Sequence, residues 1–599
     1  MKNMEKIKTR AEVNPQLSWD LTKLYKTAED WEKEFASLES LLAKFLAYKG
    51  RLAESAQTLF DAYKASDDFE IVLDRLYTYA HLKSDEDTAD SVNKSRLDRI
   101  SEKAAVFSSQ CAWFSPELLA MDEAKFESCR HDPVLAFYKR SLDNEARYRP
   151  HVLSAPEEKI LARSGNVLNT ASSVFSAFND ADLRFPAIKN SDGKKVEVTH
   201  GNYITLMQSP DRKVRKSAFK SLYKVYHSFR NTLASTLYAN TKKNILSAEL
   251  RNMEGARNAS LFSDNIPLSV YDSLIDAVHD KIHYLHKYMS VRSRELGLKK
   301  LDMYDLYNPL IPECDFSVSW QEAVKYVKEA LAPLGKEYGK IAEKAFAEQW
   351  MDVEENRGKR SGAYSSGCYG SMPYILMTFK GNLTSVSTLA HELGHSIHSY
   401  LSHANQPYHY AYYRIFVAEV ASTTNEILLH EYLMKNAPSD TVRAYLLNQL
   451  LDEARATLYR QTMFAEFERA IYDDAAKGIP LTADRLEKIY FDLNNFYHGS
   501  AVKADPLIAS EWSRIPHFYR SFYVYKYATG FSAAVALSRN ILAGNTEPYL
   551  SFLKAGGSKD VLDIMKDAGV DFTTKEPVIS ALEYFNDRLE AFDNILKKK

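Results

Sequence analysis

The sequence contains few of the two residues that most often interrupt helices. Of its 599 residues, 21 are Gly and 19 are Pro, about 7% together, where an average chain has roughly 12%. Because these residues mark turns and helix ends, their scarcity predicts long helices joined by few loops. It excludes the collagen-like, disordered and many-stranded all-β classes. We therefore expect a mainly α fold, with more than one core in a chain of this length.

Three further absences limit the classes of function. The charges nearly cancel, with a net charge of −2, so no overall field would attract nucleic acid or an anionic membrane. No apolar run approaches the length of a membrane span, and the N-terminal segment lacks the apolar stretch of a signal peptide. The four cysteines form no CxxC pair: Cys111, Cys129, Cys314 and Cys368. This pattern favours a reducing cytoplasm, and we predict a cytoplasmic protein that is a monomer or a weak homo-oligomer.

Two segments interrupt the helical periodicity. The first, around Ser191-Asp192-Gly193, alternates apolar and polar residues as a β-hairpin does. We place a domain boundary near residue 195, which predicts an N-terminal helical domain, 1–195, and a larger second domain, 196–599. The second segment, 361–383, combines a glycine-rich loop with a short β-prone run, Tyr374–Phe379. No GK[ST] ends this loop, so it is not a phosphate-binding loop.

An HExxH motif, formed by His391, Glu392 and His395, follows the β-prone run. At about 100° per helical residue, the two imidazoles lie within about 40° of each other, with Glu392 beside them. Apolar residues occupy the opposite side: Val386, Leu389, Leu393, Ile397 and Tyr400. The pattern predicts a helix with an apolar back and a histidine front. Such a helix offers zinc two nitrogen ligands and places a carboxylate within reach of a bound water.

A catalytic zinc site needs a third protein ligand and one open position. The longer motif HExxHxxGxxH is excluded, because His398 and Leu401 stand where it requires Gly and His. A second predicted helix, RIFVAEVASTTNEILLHEYL, carries Glu419 and Glu426 seven residues apart on one face. Glu419 lies among apolar residues, where a lone carboxylate is costly to bury unless it is paired or binds metal. We predict Glu419 as the third ligand and Glu426 as a residue that orients a ligand histidine.

His398 has a structural and a functional interpretation. It lies one turn past His395 on the histidine face of the predicted helix. As a third consecutive ligand on one helix it would crowd the metal. We therefore favour either a packing role or a supporting contact to a ligand.

Tyrosines recur in the segment WSRIPHFYRSFYVYKYATGFSAA, residues 512–534. Tyr519, Tyr523 and Tyr527 are spaced every four residues, with His517 and Tyr525 beside them. Their hydroxyl groups and the imidazole could donate hydrogen bonds to a developing oxyanion. The alternative is an aromatic helix stripe that is buried in the core.

Several separated motifs resemble one family. HELGHSIH, QPYHYAYYRIFVAEVASTTNE and RIPHFYRSFYVYKYATG, together with LDMYDLYNPL and SGAYSSGCYGSMPYILM, are similar to oligoendopeptidase F, in the thimet-type zinc oligopeptidase family. The motifs occur in the family's order and cover roughly residues 150–590. The resemblance implies a mainly helical, clam-like fold whose two parts enclose a deep substrate channel, with a small β-sheet edge beside the active-site helix. The second domain, 196–599, would be the catalytic metallopeptidase domain.

The resemblance also implies roles for individual residues. One Zn²⁺ per chain would be bound by the ligands named above, and Glu392 would be the catalytic base that acts on a zinc-bound water. Substrate and oxyanion contacts would come from His517, Tyr519, Tyr523 and Tyr525. Pro373–Phe379 would be an edge strand that pairs with the substrate backbone, and Gly370, Pro373 and Tyr374 would bind substrate. The clustered glycines of residues 358–394, Gly394 among them, would form a mobile segment beside the site.

The expected activity is hydrolysis of internal bonds in short peptides. Two alternatives remain at this point. One is a zinc-dependent carboxypeptidase of related fold, which would need a charged pocket for a substrate terminus. The other is a non-catalytic relative that binds peptides, although the presence of Glu392 does not favour it.

Overall fold

The computed structural model describes residues 7–311 and 316–598. Helices form most of these residues, so the expected mainly α class is confirmed. Within the described ranges, no helix combines the length and the apolarity that a membrane crossing requires. Cys111, Cys129 and Cys368 are free thiols, and Cys314 lies outside the described residues.

The chain forms two compact units, each built from three separate segments. Unit 1 comprises Met1–Val152, Phe316–Tyr432 and Leu537–Gly569, and unit 2 comprises Leu153–Asp315, Leu433–Ala536 and Val570–Lys599. Neither unit is a continuous stretch of sequence, and neither ends near residue 195. The division into 1–195 and 196–599 stays a prediction, as do the clam-like shape and the channel.

The first half of the chain is almost entirely helical. Unit 1 begins with α1 Ala28–Leu46, α2 Ala56–Glu86, α3 Ser91–Cys111, α4 Phe114–Leu119, α5 Glu123–Arg130 and α6 Lys139–Tyr148. Unit 2 begins with α7 Ala155–Leu168, α8 Thr170–Ser176, β1 Ile188–Lys189, β2 Lys195–Val196, α9 His200–Met207, α10 Arg212–Ser228, α11 Arg230–Leu250, α12 Ala256–Phe262, α13 Leu268–Asp280, α14 Ile282–Glu295 and β3 Leu301–Asp302. Polar caps begin several of these helices, because Thr27, Ser55 and Asp90 accept hydrogen bonds from the free N–H groups of α1, α2 and α3.

The second half returns to both units. Unit 1 continues with α15 Trp320–Ala330, α16 Gly335–Ala347, β4 Met351–Asp352, β5 Tyr364–Ser366, β6 Tyr374–Leu376, α17 Leu383–Asn405 and α18 Ile415–Lys435. Then follow α19 Asp440–Ala454, a π-helical turn Arg455–Tyr459, α20 Arg460–Ala476, α21 Ala483–His498, β7 Val502–Lys503, 3₁₀ turns at Pro506–Arg514 and Pro516–Tyr519, α22 Tyr525–Leu542, α23 Glu547–Lys554, α24 Val561–Asp567 and α25 Glu576–Leu596. These elements are joined by short connections.

Two small sheets belong to unit 2. The predicted hairpin is confirmed, because β1 and β2 pair antiparallel with Ile188 opposite Val196. Strands β3 and β7 pair in parallel, with Leu301 opposite Val502. This second pair joins the first and second segments of unit 2.

The third sheet belongs to unit 1 and has the order β4-β6-β5. Strand β6 pairs in parallel with β4 on one side and antiparallel with β5 on the other. Its side chains Tyr374 and Leu376 pack into the same core as Trp31, Leu76 and Ile100 of α1–α3. The prediction that Pro373–Phe379 is an edge strand is therefore wrong. The strand is central because its alternate side chains face a large core and neighbouring strands satisfy its backbone.

Candidate metal centre

Helix α17 holds the two histidines of the HExxH motif. The helix begins at a capping residue, Asn382, whose side chain accepts a hydrogen bond from the N–H of Ser385. Four of the five residues predicted for its apolar back are fully buried, Val386, Leu389, Leu393 and Ile397, whereas the fifth, Tyr400, is half-buried. His391 and His395 lie on the other face, with ring centroids 4.9 Å apart. Packing of the apolar back therefore fixes the direction in which both imidazoles point.

Helix α18 approaches α17 closely at Gly394. A Cβ atom at this position would lie 2.7 Å from Ser422 Cα and 2.8 Å from the carbonyl oxygen of Ala421, closer than real Cβ contacts allow. Asn425 Nδ2 also donates to the carbonyl of Ala390, at 3.0 Å. Gly394 is therefore a helix–helix contact inside α17 and not part of a mobile loop. Sequence analysis missed this role, and the Gly within HELGH was its only signal.

The close packing of the helices brings three ligand atoms together. His391 Nε2 and His395 Nε2 lie 3.2 Å apart, and Glu419 Oε2 lies 3.4 Å from each of them. In a tetrahedral zinc centre with bonds of about 2.0–2.2 Å, ligand atoms lie about 3.3–3.6 Å apart. Among the described residues these three form the one cluster of His, Cys, Asp and Glu side chains that could hold a metal ion. Two imidazoles and a carboxylate, at these separations, fit a single zinc ion.

Glu426 lies behind the first histidine. Its Oε2 is 3.2 Å from His391 Nδ1, and the hydroxyl of Ser387 donates to its Oε1 at 3.3 Å. Burial alone would lower the pKa of His391, but the carboxylate of Glu426, with smaller contributions from Glu392 and Glu419, reverses the effect and raises that pKa to about 9. Glu426 thus contacts Nδ1 of the ring whose Nε2 is directed toward Glu419. This is the position predicted for it.

We expect Glu426→Gln to weaken metal binding about 10- to 100-fold without unfolding the protein. The carboxylate makes His391 a better ligand by accepting from Nδ1, and contacts of this kind typically contribute that much to metal affinity. Zinc affinity is measured by competition with a chromophoric chelator. Glu343→Gln is the control, because Glu343 is exposed on α16. Equal zinc affinities in the two variants would contradict the orienting role.

Glu392 lies beside the cluster and is largely shielded from solvent. Only 6% of its surface is exposed, and burial raises the pKa of its carboxyl group. Among the described residues it makes no hydrogen bond through its side chain. A buried carboxylate with free lone pairs next to a metal site can accept a proton from a water there.

His398 packs beneath the centre. It is 1% exposed, and its ring stacks on Tyr413 with a centroid distance of 3.7 Å and an interplanar angle of 3°. Phe552 packs against the same ring. Burial lowers the pKa of His398 to about 3, so the ring is neutral. Of the two interpretations of this residue, the structure shows packing.

The residues predicted to bind substrate in unit 1 lie in different environments. Gly370 is exposed in a tight turn with φ of +80°, whereas Pro373 is buried. The Tyr374 side chain is fully buried and packs edge-on against Trp19, so it offers no surface to a ligand. A pocket with about 320 Å³ of free space adjoins β5 and α17, with Ser365, Ser366, Gly367, Pro373, Ser399 and His403 among its lining residues.

Strand β5 is an edge strand of the described sheet. Its Ser365 hydroxyl lies 2.8 Å from the hydroxyl of Ser396 on α17, which connects the strand to the helix that carries the histidines. The edge that sequence analysis assigned to β6 therefore belongs to β5, inside the glycine-rich segment.

The tyrosine-rich segment of unit 2 is not one helix. A 3₁₀ turn ends at Tyr519 and α22 begins at Tyr525, and between them Phe522 has a positive φ of 53°. The N–H of Phe522 donates to the buried carboxyl group of Glu468 at 2.7 Å. The regular spacing of Tyr519, Tyr523 and Tyr527 is therefore not a helix stripe.

The predicted residues of this segment divide into two groups. The His517 ring stacks with Tyr523, and its Nε2 lies 3.1 Å from the Tyr527 hydroxyl. The Tyr519 ring stacks on another aromatic ring, at 4.3 Å, and its hydroxyl lies 2.7 Å from a threonine hydroxyl. Tyr525 is fully buried. His517 and Tyr523 thus lie together, while Tyr519 and Tyr525 pack elsewhere in unit 2.

Comparison with known proteins agrees with the motifs. The sequence model of peptidase family M3 matches residues 205–584, and that of oligopeptidase F matches residues 117–185. The chain belongs to peptidase family M3. The resemblance to oligoendopeptidase F is confirmed, and membership makes the chain a metalloendopeptidase.

Relatives and solved structures cover nearly the whole chain. Oligopeptidase PepF of Bacillus subtilis is 43% identical, over 100% of this chain and 90% of the relative. An oligoendopeptidase F homolog of Lactococcus lactis is 39% identical over 99% of both. Oligoendopeptidase-F from Enterococcus faecium has 37% identity and a TM-score of 0.73, over 95% of this chain and 99% of that one. A crystal structure from Chlamydophila abortus has a TM-score of 0.94 and 36% identity, and the match covers 98% of this chain and 100% of that one.

Proposed function

We propose that the chain is a zinc-dependent endopeptidase that hydrolyses internal bonds of short peptides. The observation that carries the proposal is the triangle of His391, His395 and Glu419 atoms, with side lengths near those of a tetrahedral zinc centre. The buried Glu392 stands beside it. The names of the relatives, oligopeptidase and oligoendopeptidase F, support peptides of limited length as substrates.

The chemistry combines one ion with the chain's own groups. When bound, Zn²⁺ polarises a carbonyl group and lowers the pKa of water in its shell to about 7. Glu392 accepts the proton of the attacking water and then donates it to the nitrogen of the leaving amine. Because the carboxyl group of Glu392 is shielded from solvent, it exchanges protons with the reacting atoms rather than with bulk water. Glu426 keeps His391 in the orientation that exposes Nε2.

We propose that the substrate backbone pairs with the free edge of β5, which replaces β6 in this role. An extended peptide can add to a sheet edge through main-chain hydrogen bonds, and the cavity next to Ser365 and Ser366 provides space for its side chains. We keep His517, Tyr519, Tyr523 and Tyr525 as proposed substrate or oxyanion contacts. The mutual contact of His517 and Tyr523 makes these two the better supported. The cytoplasmic location also stays a proposal, supported by the free thiols.

Metal removal and peptide digestion test the proposal together. We expect the purified protein to contain about one zinc per chain by elemental analysis, and to cleave internally quenched peptides at internal bonds. A chelator should abolish cleavage, and added Zn²⁺ should restore it. Mass spectrometry of the products separates the alternatives: removal of C-terminal residues alone would indicate a carboxypeptidase. Peptide binding without cleavage by the zinc-loaded protein would indicate a non-catalytic relative.

A further inference from the structure

Unit 2 contains a small, partly open cavity lined by two arginines. We call it the arginine cavity and define it by five of its lining residues, Tyr307, Arg455, Arg460, His498 and Glu511. Its walls come from α10, α14, α20, α21 and the 3₁₀ turn Pro506–Arg514. All of its lining residues belong to unit 2. None of the three residues of the metal cluster is among them.

The free space in the cavity is small. The gaps between its atoms amount to about 500 Å³, but the centre of a water-sized sphere can move through only about 30 Å³ of it. A single water needs about 10–15 Å³ by this measure. The cavity therefore holds one or two water-sized species, which excludes a peptide terminus or a nucleotide.

Glu511 is the sole carboxylate among the lining residues, and it accepts four hydrogen bonds. Its Oε1 accepts from Arg460 at 2.8 Å, Arg514 at 3.0 Å and Tyr223 at 3.0 Å. Its Oε2 accepts from Tyr490 at 2.6 Å. One negative charge thus serves two guanidinium groups, both of which donate to the same oxygen.

The Arg455 guanidinium lies over the Tyr307 ring, 5.2 Å from its centroid, and makes one weak hydrogen bond. Its Nε lies 3.5 Å from Asp452 Oδ1, an oxygen that also accepts from Arg292 at 3.3 Å. In this part of unit 2, four guanidinium groups therefore share two carboxylates. The surplus positive charge is on the side chains that line the cavity.

Several N–H groups of these arginines lack protein acceptors. Among the described residues, neither Nη1 nor Nη2 of Arg455 makes a hydrogen bond, and neither Nε nor Nη1 of Arg460 does. The Arg455 side chain is 7% exposed. Leaving charged donors unpaired in such a place costs free energy, and an anion in the cavity would satisfy them.

The backbone around Arg455 is unusual. Residues Arg455–Tyr459 form a π-helical turn between α19 and α20. Such turns are rare and occur often at functional sites. The wider turn places Arg455, Tyr459 and Arg460 on the wall of the same cavity. The π-helical turn is thus a second observation at this cavity, beside the excess of guanidinium groups over carboxylates.

We propose that the arginine cavity binds one halide-sized anion such as chloride. Arg455 and Arg460 donate hydrogen bonds to it through the N–H groups that lack protein partners. The bound anion balances the surplus charge and stabilises the turn Pro506–Arg514, which ends three residues before His517. The proposal concerns stability of unit 2 and does not depend on the proposed peptidase activity.

Sodium bromide is the probe for this site, because bromide is a halide that X-rays can identify. In crystals soaked in sodium bromide, we expect an anomalous peak within hydrogen-bond distance of Arg455 and Arg460. In solution, the melting temperature in sodium bromide should rise saturably over that in sodium gluconate at equal ionic strength, by about 2 °C or more. Gluconate is too large for the cavity.

Two variants separate specific binding from general salt effects. Arg455→Met should abolish the saturable part of the bromide response, because it removes the least paired donor. Arg469→Met is the matched control, since Arg469 is a partly buried arginine on α20 that pairs with Asp272, away from the cavity; it should keep the response. Two results would overturn the proposal. One is an anomalous map without a bromide peak at the two arginines, and the other is an equal bromide response of the melting temperature in both variants and the wild type. The anomalous map is measured on the wild-type protein, so misfolding of a variant would not affect that result.

Discussion

Glu392→Gln is expected to lower kcat by about 100- to 10,000-fold while the protein keeps its metal. The amide has nearly the shape of the carboxylate but cannot accept the proton of the attacking water, and a positioned general base contributes about this much to the rate. Glu392 contributes no atom to the cluster of possible metal ligands, so zinc content should stay near one per chain. Kinetics on an internally quenched peptide, with elemental analysis of the same sample, measure both quantities.

The control for this variant is Glu343→Gln, on the exposed face of α16, which should match the wild type in both measurements. Two results would contradict the role of Glu392. Cleavage at a near wild-type rate would show that another group accepts the proton. Loss of zinc together with activity would show that the carboxylate helps to hold the ion.

Gly394→Ala is expected to have a large effect on both stability and metal binding. The added methyl group would lie 2.7 Å from Ser422 Cα, so α18 must move away from α17. Overpacking of this kind costs about 1–3 kcal/mol, and the displaced helix moves Glu419 away from the two histidines. We expect the melting temperature to fall and zinc affinity to fall about tenfold or more. Thermal denaturation with excess chelator isolates the packing effect, and chelator competition measures the affinity.

Gly339→Ala provides a control of opposite expected sign. Gly339 is also inside a helix, α16, but a Cβ there would meet nothing within 4 Å. Alanine at that position should stabilise the protein by about 0.5–1 kcal/mol, because glycine loses more backbone entropy on folding. A similar gain in stability from Gly394→Ala would refute the close contact between the helices.

Local sequence patterns singled out the three residues that the structure brings together in the cluster. The helical spacing of His391 and His395 opposite an apolar face required only knowledge of the helix period. Glu419 was singled out as a carboxylate that is costly to bury among apolar residues, but the structure leaves 53% of its side chain exposed, so that reason does not hold although the residue reaches the cluster. These inferences depend on contacts within a helix or between adjacent helices. The structure brings these residues together as predicted.

Features set by distant segments could not be predicted in the same way. The position of β6 depends on pairing with β4 and on a core supplied by α1–α3, neither of which leaves a signal near residue 374. The regular tyrosine spacing from 519 to 527 suggested a helix, but Glu468, from a different helix, accepts a hydrogen bond from the backbone at Phe522. Such a tertiary contact overrides local periodicity.

The close packing of α17 on α18 has a consequence for how the chain folds. The outermost ligands of the metal cluster, at positions 391 and 419, are 28 residues apart. Other contacts of unit 1 join far more distant positions, such as Arg140 Nε and the carbonyl of Gly557, 417 residues apart. Contacts between nearby positions form with little loop-closure entropy. The metal-binding pair of helices can therefore form early in folding, before the terminal segments of its own unit have joined.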